Sequence, residues 1–153
     1  MRPSFTLLRM GYPKSEKREA LFESLGWSDI TKNDAYKDTC AIRVSVALSR
    51  AGVTLTGGTM KVQAGRLKGT RIETRQRALS KMLKRLWGEP AVYRTEQDAT
   101  EAIGKRSGVI SFFRIGGGAG GHIDLIYPGP FGFAECARSC FFGCWEIWFW
   151  PLN

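Results

Sequence analysis

The sequence predicts an α+β fold in which helices come first and an antiparallel sheet follows, and three observations carry that expectation. Residues 38–52 place apolar Ala41, Val44, Ala47, Leu48 and Ala51 at helical spacing. Val109-Ile110-Ser111-Phe112-Phe113-Arg114-Ile115 is apolar nearly throughout, as a central strand buried on both faces should be. Only the glycine-rich run Gly116-Gly117-Gly118-Ala119-Gly120-Gly121 separates it from a second apolar strand, His122-Ile123-Asp124-Leu125-Ile126. At 153 residues the chain is sized for one domain spanning 1–153. A hydrophobic content of 43%, with five Trp and nine Phe, excludes a disordered chain.

Taken in order, residues 1–12 read as an N-terminal arm that packs through Phe5, Leu7, Leu8 and Met10 and carries no chemistry. Ser15 is a suitable cap for a helix over 16–25 whose apolar face is Ala20, Leu21, Phe22 and Leu25 and whose stop is Gly26. A polar loop over 27–37 delivers the chain to the helix over 38–52, which Asp38 or Thr39 caps and Gly52 ends. Short extended pieces follow at 53–58 and 60–63, then a basic loop over 65–70. A second strong helix is expected over 72–87, with Ala78, Met82, Leu83, Leu86 and Trp87 inward and Gly88 with Pro90 as the stop. Thr95 caps a short helix over 96–103, and the two strands already named come next. Pro128-Gly129-Pro130 forces a turn, 131–143 is irregular, and 144–150 is a closing strand that is apolar on both faces and so belongs inside the sheet or under a helix.

Cys40 falls in the first turn of its helix, where free backbone N–H groups and the helix dipole favour an anion. That position predicts a lowered thiol pKa and makes the Cys40 backbone N–H a natural oxyanion donor. His122, the one histidine of the chain, is the matching base. A cysteine at a helix mouth followed by a histidine on a strand is the order used by papain-like amidases. The glycine run before His122 lacks the Lys-Ser/Thr of a phosphate loop and reads as a hairpin loop bordering the site. Cys136, Cys140 and Cys144 recur every four residues, which favours a disulfide between two of them over a zinc site, since the histidine is distant and no fourth ligand is evident. No cofactor is called for.

The formal charge of +9 predicts attraction to polyanions: nucleic acid, an anionic membrane surface or a carboxylate-bearing cell wall. Arg71, Arg75, Arg77, Lys81, Lys84 and Arg85 form either a solvated face or an electrostatic footprint, without the interleaved aromatics of a single-strand binder. No signal-peptide core is present in 1–25 and no apolar run approaches membrane-spanning length. A protein made in the cytosol, with no integral membrane segment, is the expectation.

Thr39-Cys40-Ala41-Ile42-Arg43-Val44-Ser45 with Leu48 and Gly52, then Gly121-His122-Ile123-Asp124-Leu125, and finally Trp148-Phe149-Trp150-Pro151-Leu152, resemble the fourth family of type VI secretion amidase effectors. Residues 53–107 carry none of the likeness. The resemblance implies a papain-like fold related to the NlpC/P60 peptidases, with Cys40 as nucleophile and His122 as base. It implies a toxin loaded into the type VI secretion machinery without a signal peptide and acting in the recipient periplasm. There it would cut the γ-D-glutamyl to meso-diaminopimelate amide of peptidoglycan, with a cognate immunity protein protecting the producer and no nucleic acid as partner. The family also has an aspartate between two cysteines spaced as Cys136 and Cys140 are, where this chain has Ala137, Arg138 and Ser139. Two carboxylates could replace it: Asp124, on the same strand face as His122, and Glu135, beside Cys136. The other functions open to these residues are a Cys-His protease or acyltransferase acting on proteins, and a basic nucleic-acid-binding module.

Overall fold

The computed structural model describes residues 2–153. Its centre is helix α3 (Cys40–Arg50), whose Ala41, Ile42, Val44, Val46, Ala47 and Leu48 are all fully buried. A helix that is apolar all round must be covered all round. Val44, Ala47 and Leu48 face the main sheet, while Ile42 and Val46 face the opposite way, into a cluster built on Leu21, Phe22 and Trp27. Arg43 and Ser45 are the buried polar exceptions, and the Ser45 hydroxyl both donates to the Glu73 carbonyl and accepts from the Glu73 N–H.

Two short helices precede α3. Residues expected to form a featureless arm make helix α1 (Phe5–Gly11), capped by the Ser4 hydroxyl on the Leu7 N–H; Met1 lies outside the described residues. The Phe5 N–H donates to the Asn153 carbonyl, so the arm is ordered by a partner from the other end of the chain. Helix α2 (Arg18–Ser24) starts later than expected, and neither Ser15 nor any other side chain caps it. Instead Arg18 reaches the carbonyls of Thr31 and Asn33 and ties the helix start to the following loop.

Beyond α3, β1 (Met60–Lys61) and β2 (Arg71–Ile72) form a small antiparallel pair, whereas residues 53–58 form no strand. Ile72 therefore belongs to a ladder rather than to the second long helix, and α4 is Gln76–Trp87. The buried Glu73 carboxylate explains the delay: it accepts from the Thr74 and Arg75 N–H groups and holds the chain extended before the helix. Leu79 packs inward on α4, and Leu86, expected inside, is 45% exposed.

The main sheet has β3 (Ala91–Tyr93), which the sequence reading lacked, with β4 (Ser107–Phe113), β5 (His122–Pro128), β6 (Ala134–Cys136) and β7 (Glu146–Leu152). All pairs are antiparallel, in the order β3-β7-β4-β5-β6, so the most apolar strand is the central one and the closing strand lies inside. Helix α5 (Glu96–Ile103) covers the second face, with Ala99 and Ile103 against Ile110, Phe112 and Phe149. The β4–β5 register sets Phe112 opposite His122. β6 pairs with β5 only from Ile126 onward, which leaves the edge of β5 near His122 free for other contacts.

Close approach fixes one glycine of the sheet. A side chain at Gly108 would run into the Trp150 carbonyl, with the Phe149 ring and Pro151 Cα each 3.0 Å away. Gly108→Ala should therefore destabilise the fold by at least ~2 kcal/mol, read as a lower midpoint in urea. Past β6, Cys136 and Cys140 form a disulfide, and Cys40 and Cys144 are free. Joining these two removes a pair of thiolates from the zinc alternative. Titration of the unfolded, unreduced protein with a thiol reagent should count two reactive cysteines, and four after reduction.

Candidate active site

The mouth of α3 meets the free edge of β5. Cys40 is 5% exposed, and the backbone N–H of Ile123, the residue after His122, acts to lower its thiol pKa. His122 is 9% exposed, between Phe112, stacked at 6.2 Å, and Phe141, edge-on at 4.9 Å between ring centroids. The loop before it comes close because position 121 is glycine: a side chain there would collide with the Gln76 amide and approach the Phe112 carbonyl to 2.9 Å. Gln76 itself is anchored by its amide to the Ser111 hydroxyl at 2.7 Å.

Strand alternation puts Asp124 on the His122 side of β5, and His122 Nε2 lies 2.8 Å from Asp124 Oδ2. With that nitrogen on the carboxylate, Nδ1 is the ring atom left for other chemistry. Asp124 is fully buried, and backbone amides supply much of what water would have given it. The N–H groups of Arg138 and Ser139 donate to Oδ2 at 3.0 and 3.1 Å, and that of Leu125 donates to Oδ1 at 2.8 Å. The Tyr12 hydroxyl adds a longer bond of 3.4 Å to Oδ1. Burial, reinforced by the Asp124 charge, pushes the Tyr12 phenol up, so it stays protonated as the donor.

Glu135, the other candidate carboxylate, is not brought to His122. It is exposed on β6 opposite Tyr127, toward the far end of β5, with its carboxyl group over Gly129. The disulfide loop that carries an aspartate in the resembled family here contributes two backbone N–H groups to a carboxylate on the neighbouring strand. Tyr12 and Phe141 had no signal in the sequence, because neither lies in a motif or at a diagnostic spacing. Arg43 was visible within its motif but without a role. It is 1% exposed and donates from Nε to the Thr39 hydroxyl at 2.9 Å and from a terminal nitrogen to the Pro13 carbonyl at 2.6 Å. It thus ties α3 to the segment that carries Tyr12.

Two expectations about Cys40 need correction. The thiol pKa is raised, not lowered: burial is the largest cause, and the Asp38 carboxylate adds to it both as a charge and as a hydrogen-bond partner. The N–H groups of Ile123 and Ala41 act the other way and are outweighed. The Cys40 backbone N–H, expected to be a free oxyanion donor, is taken by Asp38 Oδ1 at 3.0 Å. Thr39 occupies the N-cap position but makes no capping bond with its side chain. A cavity of about 600 Å³ beside Ser49, Gly52 and Arg71 lies at the other end of α3 from Cys40 and holds no nucleophile and base.

Solved structures share this architecture over its full length. Tae4 from Enterobacter cloacae superimposes with a TM-score of 0.78 at 20% identity, covering 100% of this chain and 98% of that one. The Tae4–Tai4 effector–immunity complex from the same organism gives 0.77 at 19% identity, with 100% of each chain covered. The corresponding complex from Salmonella Typhimurium gives 0.75 at 18%, again with both chains fully covered. Identities this low speak for the fold alone, and no curated protein matches the sequence. The sequence itself decides the family, because the profile of Tae4, the type VI secretion system amidase effector protein 4, matches residues 36–150, from just before the Cys40 helix to the closing strand. A match over well over half of the chain, on a fold those structures share, means that the chain belongs to the Tae4 family of type VI secretion amidase effectors.

Proposed function

We propose that this protein is a papain-like cysteine amidase of the NlpC/P60 type that cuts the γ-D-glutamyl to meso-diaminopimelate amide of peptidoglycan stem peptides. Cys40 is the nucleophile, His122 the base and Asp124 the residue that orients it. The observation that carries the reading is the 2.8 Å contact of His122 Nε2 with a fully buried Asp124, set beside a cysteine at a helix mouth. Such an arrangement leaves Nδ1 to take the thiol proton, and the carboxylate stabilises the imidazolium that results.

Because burial keeps Cys40 in its thiol form, attack requires that proton transfer. The Sγ–H proton passes to His122 as sulfur bonds to the amide carbon. The imidazolium then protonates the amine nitrogen as the C–N bond breaks, leaving a thioester. Water, giving a proton to His122, cleaves the thioester to a carboxylate, and Cys40 regains its proton.

The biology of the family supports a route through the type VI secretion machinery into the periplasm of a rival cell, with a cognate immunity protein in the producer. The Cys136–Cys140 disulfide suits an oxidising compartment, and a charge of +9 suits an anionic polymer. Among the described residues no helix is long and apolar enough to cross a membrane.

Incubation with purified muropeptides, followed by mass spectrometry, tests the assignment. Products split at the γ-D-glutamyl bond are expected, and intact muropeptides alongside cleaved protein substrates would point to a protease instead. Cys40→Ala and His122→Ala should each abolish the products, and Cys40→Ala should do so while keeping the thermal midpoint. Asp124→Asn should lower kcat by roughly 10²- to 10⁴-fold with little change in KM, as loss of an orienting carboxylate does. Glu135→Gln should stay within about twofold of the parent, as expected for an exposed carboxylate.

A further inference from the structure

We propose that the Asp38 carboxylate is a latch on the nucleophile: it holds the Cys40 backbone N–H in the free protein and must release it before that N–H can bind a substrate carbonyl oxygen. The inference rests on the reading of Cys40 as nucleophile. Its geometry is local, since Asp38 Oδ1 accepts from the Cys40 N–H at 3.0 Å. One N–H serves one strong acceptor at a time. A carboxylate in that place also opposes the negative charge that develops on a carbonyl oxygen under attack.

The neighbours leave Asp38 alone in this role. The Thr39 hydroxyl, which would otherwise cap the helix, is engaged by Arg43 Nε, and Arg43 is itself anchored on the Pro13 carbonyl. Cys40 and Arg43 are buried, whereas Asp38 is exposed and can swing into water without a desolvation penalty. The latch is therefore the movable part of an otherwise fixed mouth.

Tyr12, after α1, is the other titratable group whose charge acts together with that of Cys40, and Asp124 on β5, Arg43 on α3 and Arg138 in the disulfide loop act on Tyr12 in turn. Asp38 is the one whose charge and hydrogen bond both act to keep Cys40 protonated. While latched, the protein has a blocked oxyanion donor and a neutral thiol. Release frees the donor and eases ionisation together, so one displacement changes both requirements of acylation.

The test uses the Cys144→Ser protein with Cys136–Cys140 intact, in which Cys40 is the sole free thiol. Asp38→Asn keeps an acceptor oxygen and removes the charge; Asp38→Ala removes both. The Cys40 Cβ resonance, followed against pH, should titrate at lower pH in both variants than in the parent. Neutral iodoacetamide should alkylate Cys40 roughly three- to tenfold faster near pH 7, in proportion to the added thiolate. Anionic iodoacetate should gain more than iodoacetamide, because a nearby carboxylate no longer repels it. A residue that serves only as a helix cap would lower the thermal midpoint of Asp38→Ala and leave the titration and the reagent ratio unchanged. Backbone amide exchange at Cys40 that is no faster in Asp38→Ala than in the parent would overturn the latch, since that N–H is the one Asp38 holds, as would coincident titrations or an unchanged reagent ratio in Asp38→Ala. No peptide is cleaved in these measurements, so failure of the amidase reading, seen as intact muropeptides with the parent protein, is a separate result.

Discussion

The buried carboxylate of Asp124 is the constraint on which the rest of the site depends. Taking a carboxylate out of water is unfavourable by several kcal/mol unless donors surround it. Here they come from separate parts of the chain: His122 and Leu125 on the same strand, Tyr12 after the first helix, and Arg138 with Ser139 in the disulfide loop. Each donor that satisfies the charge is also fixed by it. The arm before α2, the edge of β5 and the loop after β6 therefore converge on one atom pair, and His122 inherits its orientation from them.

The same economy governs α3. A helix apolar on every side has no solvent face to lose, so it can run between two clusters and present its first turn at the sheet edge. What enters that buried turn must be neutral or balanced. Cys40 is neutral as a thiol, and Arg43 is balanced by the Thr39 hydroxyl and the Pro13 carbonyl. Burial of Cys40 and burial of its helix have the same cause, which is why the dipole argument alone gave the wrong sign for the thiol pKa.

Much of this was legible in the amino-acid sequence. The apolar periodicity of α3, the unbroken apolar run of β4 and the glycine loop before His122 gave the helix, the central strand and the hairpin, because each is a local pattern whose burial follows from composition. The elements misread are those fixed by distant partners. Helix α1 is held by the Asn153 carbonyl, the start of α4 is delayed by a buried Glu73, and β3 has three residues whose strand character comes from pairing with β7. Within the site, Asp124 was in view beside Glu135 because strand alternation is a local rule, but Tyr12 and the loop amides were not, since what brings them to Asp124 is tertiary packing.

One consequence of the loop geometry concerns evolution of the sequence. The segment closed by Cys136 and Cys140 holds Asp124 through peptide N–H groups, and every amino acid but proline brings such a group. The support is written in the main chain, so the side chains at Arg138 and Ser139 are not what the carboxylate reads. Substitutions there can accumulate while the hold on Asp124 persists, and proline is the one letter the two positions must refuse.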